Sequence, residues 1–160
     1  MMKAKADIHI VLVEPEIPQN TGNIGRLSLG VGARLHLIKP LGFDISEKAV
    51  RRAGLDYWKH VDIQVHESTE DFVEWAEGKA LFLMSTKAEV SLADATIPPN
   101  EDVVLVFGPE TRGLSQDLRE RYPCFKIPMR SNIRSYNLSN SVAIASYFVL
   151  QKISPEWFRG

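Results

Sequence analysis

Short, largely apolar runs recur along the chain without the alternation of a half-exposed strand: Ile8 to Val13, Arg34 to Ile38, Ala80 to Met84 and Val103 to Phe107. Runs of this length with apolar residues on both faces predict strands buried on both sides, as in parallel sheets. Asp62 to Val65 and Phe125 to Ile127 read as two shorter strands. Between them lie segments of helical period. The first is expected to start near Asn20 or Thr21, either of which suits a cap, and to end at Gly30 or Gly32. Others cover Ser46 to Ala53 with Ser46 as cap, Ser68 to Glu77, a stretch from about Ser115, and a final helix from about Leu138 to Lys152. The turns carry Pro15 and Pro18, Pro40 and Gly42, and Pro98-Pro99. Strands alternating with helices in this order predict an α/β domain: a mostly parallel sheet with helices on both faces.

No repeat, low-complexity tract or linker divides the pattern, so residues 1–160 read as a single domain with its core at about 8–150. The 44% apolar and 24% charged composition is that of a globular protein, and no apolar run approaches the ~20 residues a membrane crossing needs. Met1 to Asp7 is polar and lacks a hydrophobic leader, and the lone Cys124 excludes an internal disulfide. Together these predict a cytoplasmic protein with no membrane partner. Nothing around Cys124 marks an activated thiolate. His9, His36, His60 and His66 share no ligand spacing with Cys, Asp or Glu, so no metal is expected. The net charge of −1 gives no overall pull toward nucleic acid, but Lys48, Arg51 and Arg52 cluster, and Arg130 and Arg134 bracket a polar tract.

That tract is the densest chemistry in the chain. Seven Ser or Asn residues occupy the eleven positions from Ser131 to Ser141, directly before the apolar final helix. One or two would cap the helix; the remainder are surplus donors and acceptors. In parallel sheets ligands bind beyond the carboxyl ends of the strands. Three expected strands end in distinctive loops there: Val13 into Pro15 to Arg26, Phe107 into Gly108 to Gly113, and Ile127 into the tract. Gly108 and Gly113 have the spacing of a phosphate loop but not its chemistry, because Leu114 stands where a lysine is needed and Glu110 would repel phosphate. Gly22-Asn23-Ile24-Gly25 lacks the glycine order of a dinucleotide fold, and neither Ser28 nor Ser115 sits in a nucleophile elbow. The final helix carries one apolar stripe at Leu138, Val142, Ala145 and Val149 and a second at Ile144 and Phe148, with Ser139, Ala143 and Ser146 as a small-residue face. Apolar surface on so much of its circumference predicts burial on more than one side, and hence a homodimer through this helix.

Three tracts together resemble the SPOUT superfamily of S-adenosylmethionine-dependent RNA methyltransferases. They are Pro18-Gln19-Asn20-Thr21-Gly22-Asn23-Ile24-Gly25-Arg26, then Leu105 through Gly108-Pro109-Glu110 to Gly113-Leu114, then Ile127-Pro128-Met129 through Ser135-Tyr136-Asn137 to Asn140. A further likeness over Arg51-Arg52-Ala53-Gly54-Leu55-Asp56-Tyr57-Trp58 points to the small TrmL-type branch, which methylates the ribose 2′-hydroxyl of the tRNA wobble nucleotide, cytidine or a modified uridine. The resemblance spans roughly Ile8 to Leu150 and leaves no room for a separate RNA-binding domain.

What the resemblance implies is a deep C-terminal trefoil knot, a homodimer and an enzyme that transfers methyl from S-adenosyl-L-methionine, with S-adenosylhomocysteine as product, to the tRNA anticodon stem-loop. The positions matching donor contacts are Met84, Gly108, Ile127, Met129, Ser135, Leu138 and Asn140. Arg26 matches the catalytic arginine beside the target ribose, in the partner subunit's site. A guanidinium, which holds its proton too tightly to act readily as a general base, better suits a phosphate clamp and stabiliser of the developing alkoxide. Asn20 and Glu110 would position Arg26 or the nucleotide, while Ser135 and Asn137 would order the catalytic loop. Arg51, Arg52, Arg130 and Arg134 are candidate RNA phosphate contacts, and Tyr136 either shapes the target-base pocket or packs. The segment Arg130 to Arg134 is more basic than the family pattern. Methylation of another RNA, such as ribosomal RNA, and a non-catalytic RNA-binding module on the same fold are the alternatives.

Overall fold

The computed structural model describes residues 8–46, 48, 50, 52 and 55–159. Its six strands are β1 (Ile8–Val13), β2 (Arg34–Ile38), β3 (Ile63–His66), β4 (Ala80–Met84), β5 (Val103–Phe107) and β6 (Cys124–Phe125). They form one sheet in the order β3-β2-β1-β5-β4-β6, and every strand pairing is parallel. The helices are α1 (Pro18–Val31), α2 (Thr69–Ala76), α3 (Gln116–Arg121) and α4 (Leu138–Ile153). Successive side chains of a strand point to opposite faces, so each apolar run feeds two cores. Ile8, Ile10, Leu12, Leu105 and Phe107 pack with Ile24 of α1 and Val142, Ala145 and Val149 of α4. Val11, Val13, Val104 and Val106 face the other way, toward Phe72 of α2 and Leu118 of α3. The expected sheet with helices on both faces is present.

Several boundaries depart from the expectation. Helix α1 begins at Pro18, with Ile17 at the N-cap and no side-chain cap of its own, so Asn20 and Thr21 lie inside it and are buried. A proline in the first turn is already in helical φ and lacks only an N–H that has no helical partner. The helix ends where Gly32 turns left-handed at φ 71°. Strand β6 stops at Phe125, leaving Ile127 beyond it. Of the helix expected at Ser46 to Ala53, Lys48, Val50 and Arg52 are helical, whereas Arg51 and Ala53 lie outside the described residues, as does Gly54. In α4 the small-residue face is not open to solvent: Ser146 is fully buried within the subunit and Ser139 and Ala143 are half-buried, while Ile144 and Tyr147 are exposed.

The α2 side of the sheet holds a polar exception. His9, His36 and His66 sit on adjacent strands β1, β2 and β3, all buried, and form a line: His9 Nδ1 lies 2.9 Å from His36 Nε2, and His36 Nδ1 lies 2.9 Å from His66 Nε2. His9 Nε2 meets Asp102 Oδ2 at 3.1 Å. With that carboxylate as acceptor, one tautomer assignment satisfies every contact: the three rings donate from Nε2, to Asp102, His9 and His36 in turn, and His9 and His36 accept at Nδ1. Burial, then the like charges of His9 and His66, holds His36 down to about 3. Trp75 of α2 covers all three rings at centroid distances of 5.1, 4.4 and 5.8 Å.

Candidate active site

The strand registers bring Val13, Phe107, Met84 and Phe125 to one end of the sheet, since Leu12 pairs with Phe107, Met84 with Phe107, and Met84 with Phe125. Sequence order reverses direction across β1 and β5, which makes this end the topological switch point of the sheet. A cleft of about 630 Å³ opens there. Its walls come from the loops after β4 and β5, the segment after β6, and the start of α1. The volume is in the range of sites for small organic ligands, roughly 300–1,000 Å³.

Six of the seven residues expected at the methyl donor line this cleft: Met84, Gly108, Ile127, Met129, Ser135 and Leu138. Asn140 does not, being exposed on α4. Asn20, Glu110, Asn137, Arg134 and Tyr136 also line it, together with Thr86 and Lys87, which sequence reasoning passed over. Arg26 does not line it: it is exposed on α1. Arg52 and Arg130 are exposed outside the lining, and Arg51 lies outside the described residues.

The loop after β5 owes its shape to backbone closure. A Cβ on Gly108 would fall 2.3 Å from the Leu114 amide nitrogen, and Gly113 has φ 68°, so both positions require glycine for steric reasons. This closure presents Glu110 to the β1–α1 connection. The Glu110 carboxylate accepts from the amides of Glu16 (2.8 Å) and Ile17 (2.9 Å) and from Asn20 Nδ2 (3.1 Å). Asn20 Oδ1 in turn accepts from Asn137 Nδ2 at 3.2 Å. Asn137 caps α4, its Oδ1 accepting from the Ser139 amide at 2.9 Å and the Ser139 hydroxyl at 2.7 Å. One hydrogen-bonded line, Glu110–Asn20–Asn137–Ser139, therefore ties together three loops far apart in sequence. Asn20 and Glu110 hold each other and the α1 entry; among the described residues neither makes a hydrogen bond or ion pair with Arg26.

A second clasp reinforces the first. Thr111 donates from its amide (2.9 Å) and hydroxyl (2.8 Å) to Glu16 Oε1, and Arg112 pairs with Glu14 at 2.9 Å. The Thr111 amide and then its hydroxyl hold the Glu16 carboxyl below the usual carboxylate range. Glu16 and Thr111 lie in loops the sequence marks as distinctive, but neither is given a role there, because a Pro-flanked glutamate reads as an ordinary turn. Cys124 is not an activated nucleophile: burial pushes its thiol up.

The SpoU rRNA methylase family matches residues 7–147 of this chain. The chain belongs to that family. A tRNA (cytidine(34)-2′-O)-methyltransferase of Methylovorus glucosotrophus is 48% identical over 141 residues, covering 86% of this chain and 90% of the relative. A second enzyme of that name, from Polaromonas sp., is 45% identical over 144 residues, 87% of each chain. A solved structure described as giving insights into the 2-OH methylation of C/U34 on tRNA superposes with a TM-score of 0.89 at 43% identity, covering 94% of this chain and 98% of that one. As a SpoU family member, the chain places the three motif tracts around one cleft, with the family match spanning all six strands.

Proposed function

We propose that this protein transfers a methyl group from S-adenosyl-L-methionine to the ribose 2′-hydroxyl of the wobble nucleotide, cytidine or a modified uridine, in the tRNA anticodon stem-loop. The observation that carries the reading is the closure of all three motif loops onto one cleft by the Glu110–Asn20–Asn137 line, in a SpoU family chain whose relatives at 48% and 45% identity are named tRNA (cytidine(34)-2′-O)-methyltransferases. The cleft mixes apolar walls (Met84, Ile127, Met129, Leu138) with hydroxyl and amide groups (Ser135, Asn137), which suits a ligand with an aromatic base, a sulfur chain and polar ends. Those residues would hold the donor. When bound, the donor supplies an electrophilic methyl on a sulfonium sulfur.

The chain's remaining task is alignment and charge. Holding nucleophile and electrophile at attack distance is worth on the order of 7–11 kcal/mol in well-oriented pairs. Arg26, permanently protonated, stabilises the developing 2′-alkoxide and clamps an adjacent phosphate, while the proton leaves to phosphate or water. Arg26 lies off the cleft of its own subunit, which supports a role for it in the cleft of a second copy. The second copy docks on α4, whose outward side exposes Ile144 and Tyr147, the latter clustered edge-to-face with Trp157 and Phe158. Arg52, Arg130 and Arg134 meet RNA phosphates.

A trefoil knot is part of the same reading. The Phe125 carbonyl accepts from the Ser85 amide, whereas Lys126 exchanges hydrogen bonds with Val90 and Leu92. The chain at 125–126 thus runs between two parts of one β4–β5 connection before entering α4. Single-domain organisation and a cytoplasmic location complete the reading; among the described residues no helix is long and apolar enough to cross a membrane.

The test is to map ribose methylation in total tRNA from cells with and without the protein, and to assay Arg26→Ala in vitro. Wobble 2′-O-methylation disappears without the protein, and Arg26→Ala binds S-adenosylmethionine normally but does not turn over. Unchanged wobble methylation overturns the substrate assignment; near-normal turnover by Arg26→Ala overturns the role of Arg26.

A further inference from the structure

Arg26 projects from α1 into solvent, and among the described residues it makes no ion pair and no hydrogen bond. An arginine of this kind, with many rotamers, would sample a wide volume and lose that freedom at the moment of use. What holds it is a ring. Its Cζ stands 5.2 Å from the centroid of the Tyr57 ring, within the range of a cation–π contact. A carboxylate partner would occupy the guanidinium's N–H groups and cancel its charge. A ring restrains the guanidinium while leaving its N–H donors free for an incoming phosphate or oxyanion.

The ring is itself held by the neighbouring residues. Tyr57 belongs to a 3-10 turn, Leu55–His60, that lies against α1. Trp58 packs on Gly25 so closely that a Cβ there would stand 2.7 Å from Trp58 Cζ3, and Val61 closes the same spot at 3.5 Å. Gly25 precedes Arg26, and Trp58 follows Tyr57. A glycine–indole dock therefore sits one residue away from the arginine–phenol stack, and fixes the turn against the helix.

We infer that Tyr57 is a positioning residue for the methyl transfer: docked through Trp58 on Gly25, it orients the Arg26 guanidinium toward the RNA before the substrate arrives. The inference rests on the catalytic reading of Arg26 given above. Tyr57 acts through Arg26 and needs no contact with the nucleotide.

The test uses the full chain, tritiated S-adenosylmethionine and an unmodified tRNA transcript. Tyr57→Ala lowers kcat about tenfold, a loss of orientation, while donor affinity stays unchanged. Tyr57→Phe and Tyr57→Trp, which keep a π face, restore turnover. Gly25→Ala, which displaces Trp58, reproduces the Tyr57→Ala defect. In an Arg26→Gln background that retains residual turnover, Tyr57→Ala adds less than twofold, because the uncharged amide makes no cation–π contact for the ring to lose. Wild-type turnover by Tyr57→Ala alongside an inactive Arg26→Ala overturns the inference alone. Wild-type turnover by Arg26→Ala overturns the reading beneath it. Additive losses in the double variant, or failure of Tyr57→Phe to restore kcat, assign the tyrosine a direct contact with RNA and overturn the positioning role.

Discussion

Glu110 shows how far a single residue was readable in the sequence. Its identity and its motif marked it, but its partners depend on a loop some 90 residues away reaching the start of α1. The structure gives it three donors, two of them backbone amides with no other partner in the helix. Replacement by glutamine keeps the shape but turns one acceptor into an N–H group facing N–H donors. Glu110→Gln is expected to lose about 1–3 kcal/mol of stability, the usual cost of leaving such groups unsatisfied, and to loosen donor binding. Urea denaturation and calorimetric titration with S-adenosylmethionine measure the two effects. A variant with wild-type midpoint and affinity would mean that the three-loop closure does not depend on this carboxylate. Asn137 was legible as a polar neighbour of the final helix, yet its grip on Asn20 was not, since an amide's partner is a property of the folded loops.

The elements were legible where burial dictates pattern and less so where another element intervenes. All four long strands fall where the apolar runs place them, because a strand covered on both faces has no freedom in its composition. The start of α1 was misplaced because Asn20 and Thr21 are good caps in isolation. In the structure a carboxylate from the β5 loop accepts the Ile17 amide, as a glutamate in the helix's own first turn would in a capping box. The histidines looked scattered because a line across β1, β2 and β3 has no sequence period. Its energetics are nevertheless testable. His36 stays neutral in the fold down to about pH 3 and takes a proton near 6.5 when unfolded, so the unfolded state binds more protons between these values. Stability is full above pH 6.5 and falls toward pH 3 by up to about 1.4 kcal/mol per pH unit for this group. His66, likewise lowered chiefly by burial, adds in the same direction. Urea midpoints at pH 7.5, 6, 5 and 4 should decline in that order, and a flat profile from 6.5 to 4 would contradict neutral burial of His36 and His66.

At the scale of the whole molecule, the placement of Arg26 away from its own cleft makes a prediction about copies. If each cleft borrows Arg26 from its partner, Arg26→Ala and Glu110→Ala homodimers are both inactive, but a hybrid of the two has one intact site. Random pairing after co-expression then restores about a quarter of the wild-type sites, since half the dimers are hybrids with one good site of two. Turnover of differently tagged, co-purified subunits checks this; no recovery in verified hybrids would put the arginine and the cleft in the same subunit. The sheet order carries a different consequence, for synthesis. Strand β1 lies between β2 and β5, and Ile8 pairs with Val103, 95 positions later. At translation speeds of 5–20 residues per second, one edge of this largely apolar strand waits roughly 5–20 s for its neighbour to be made. During that interval the growing chain presents an open, sticky edge of the kind other chains pair with, so its greatest exposure to aggregation falls on the ribosome, before the central strand exists.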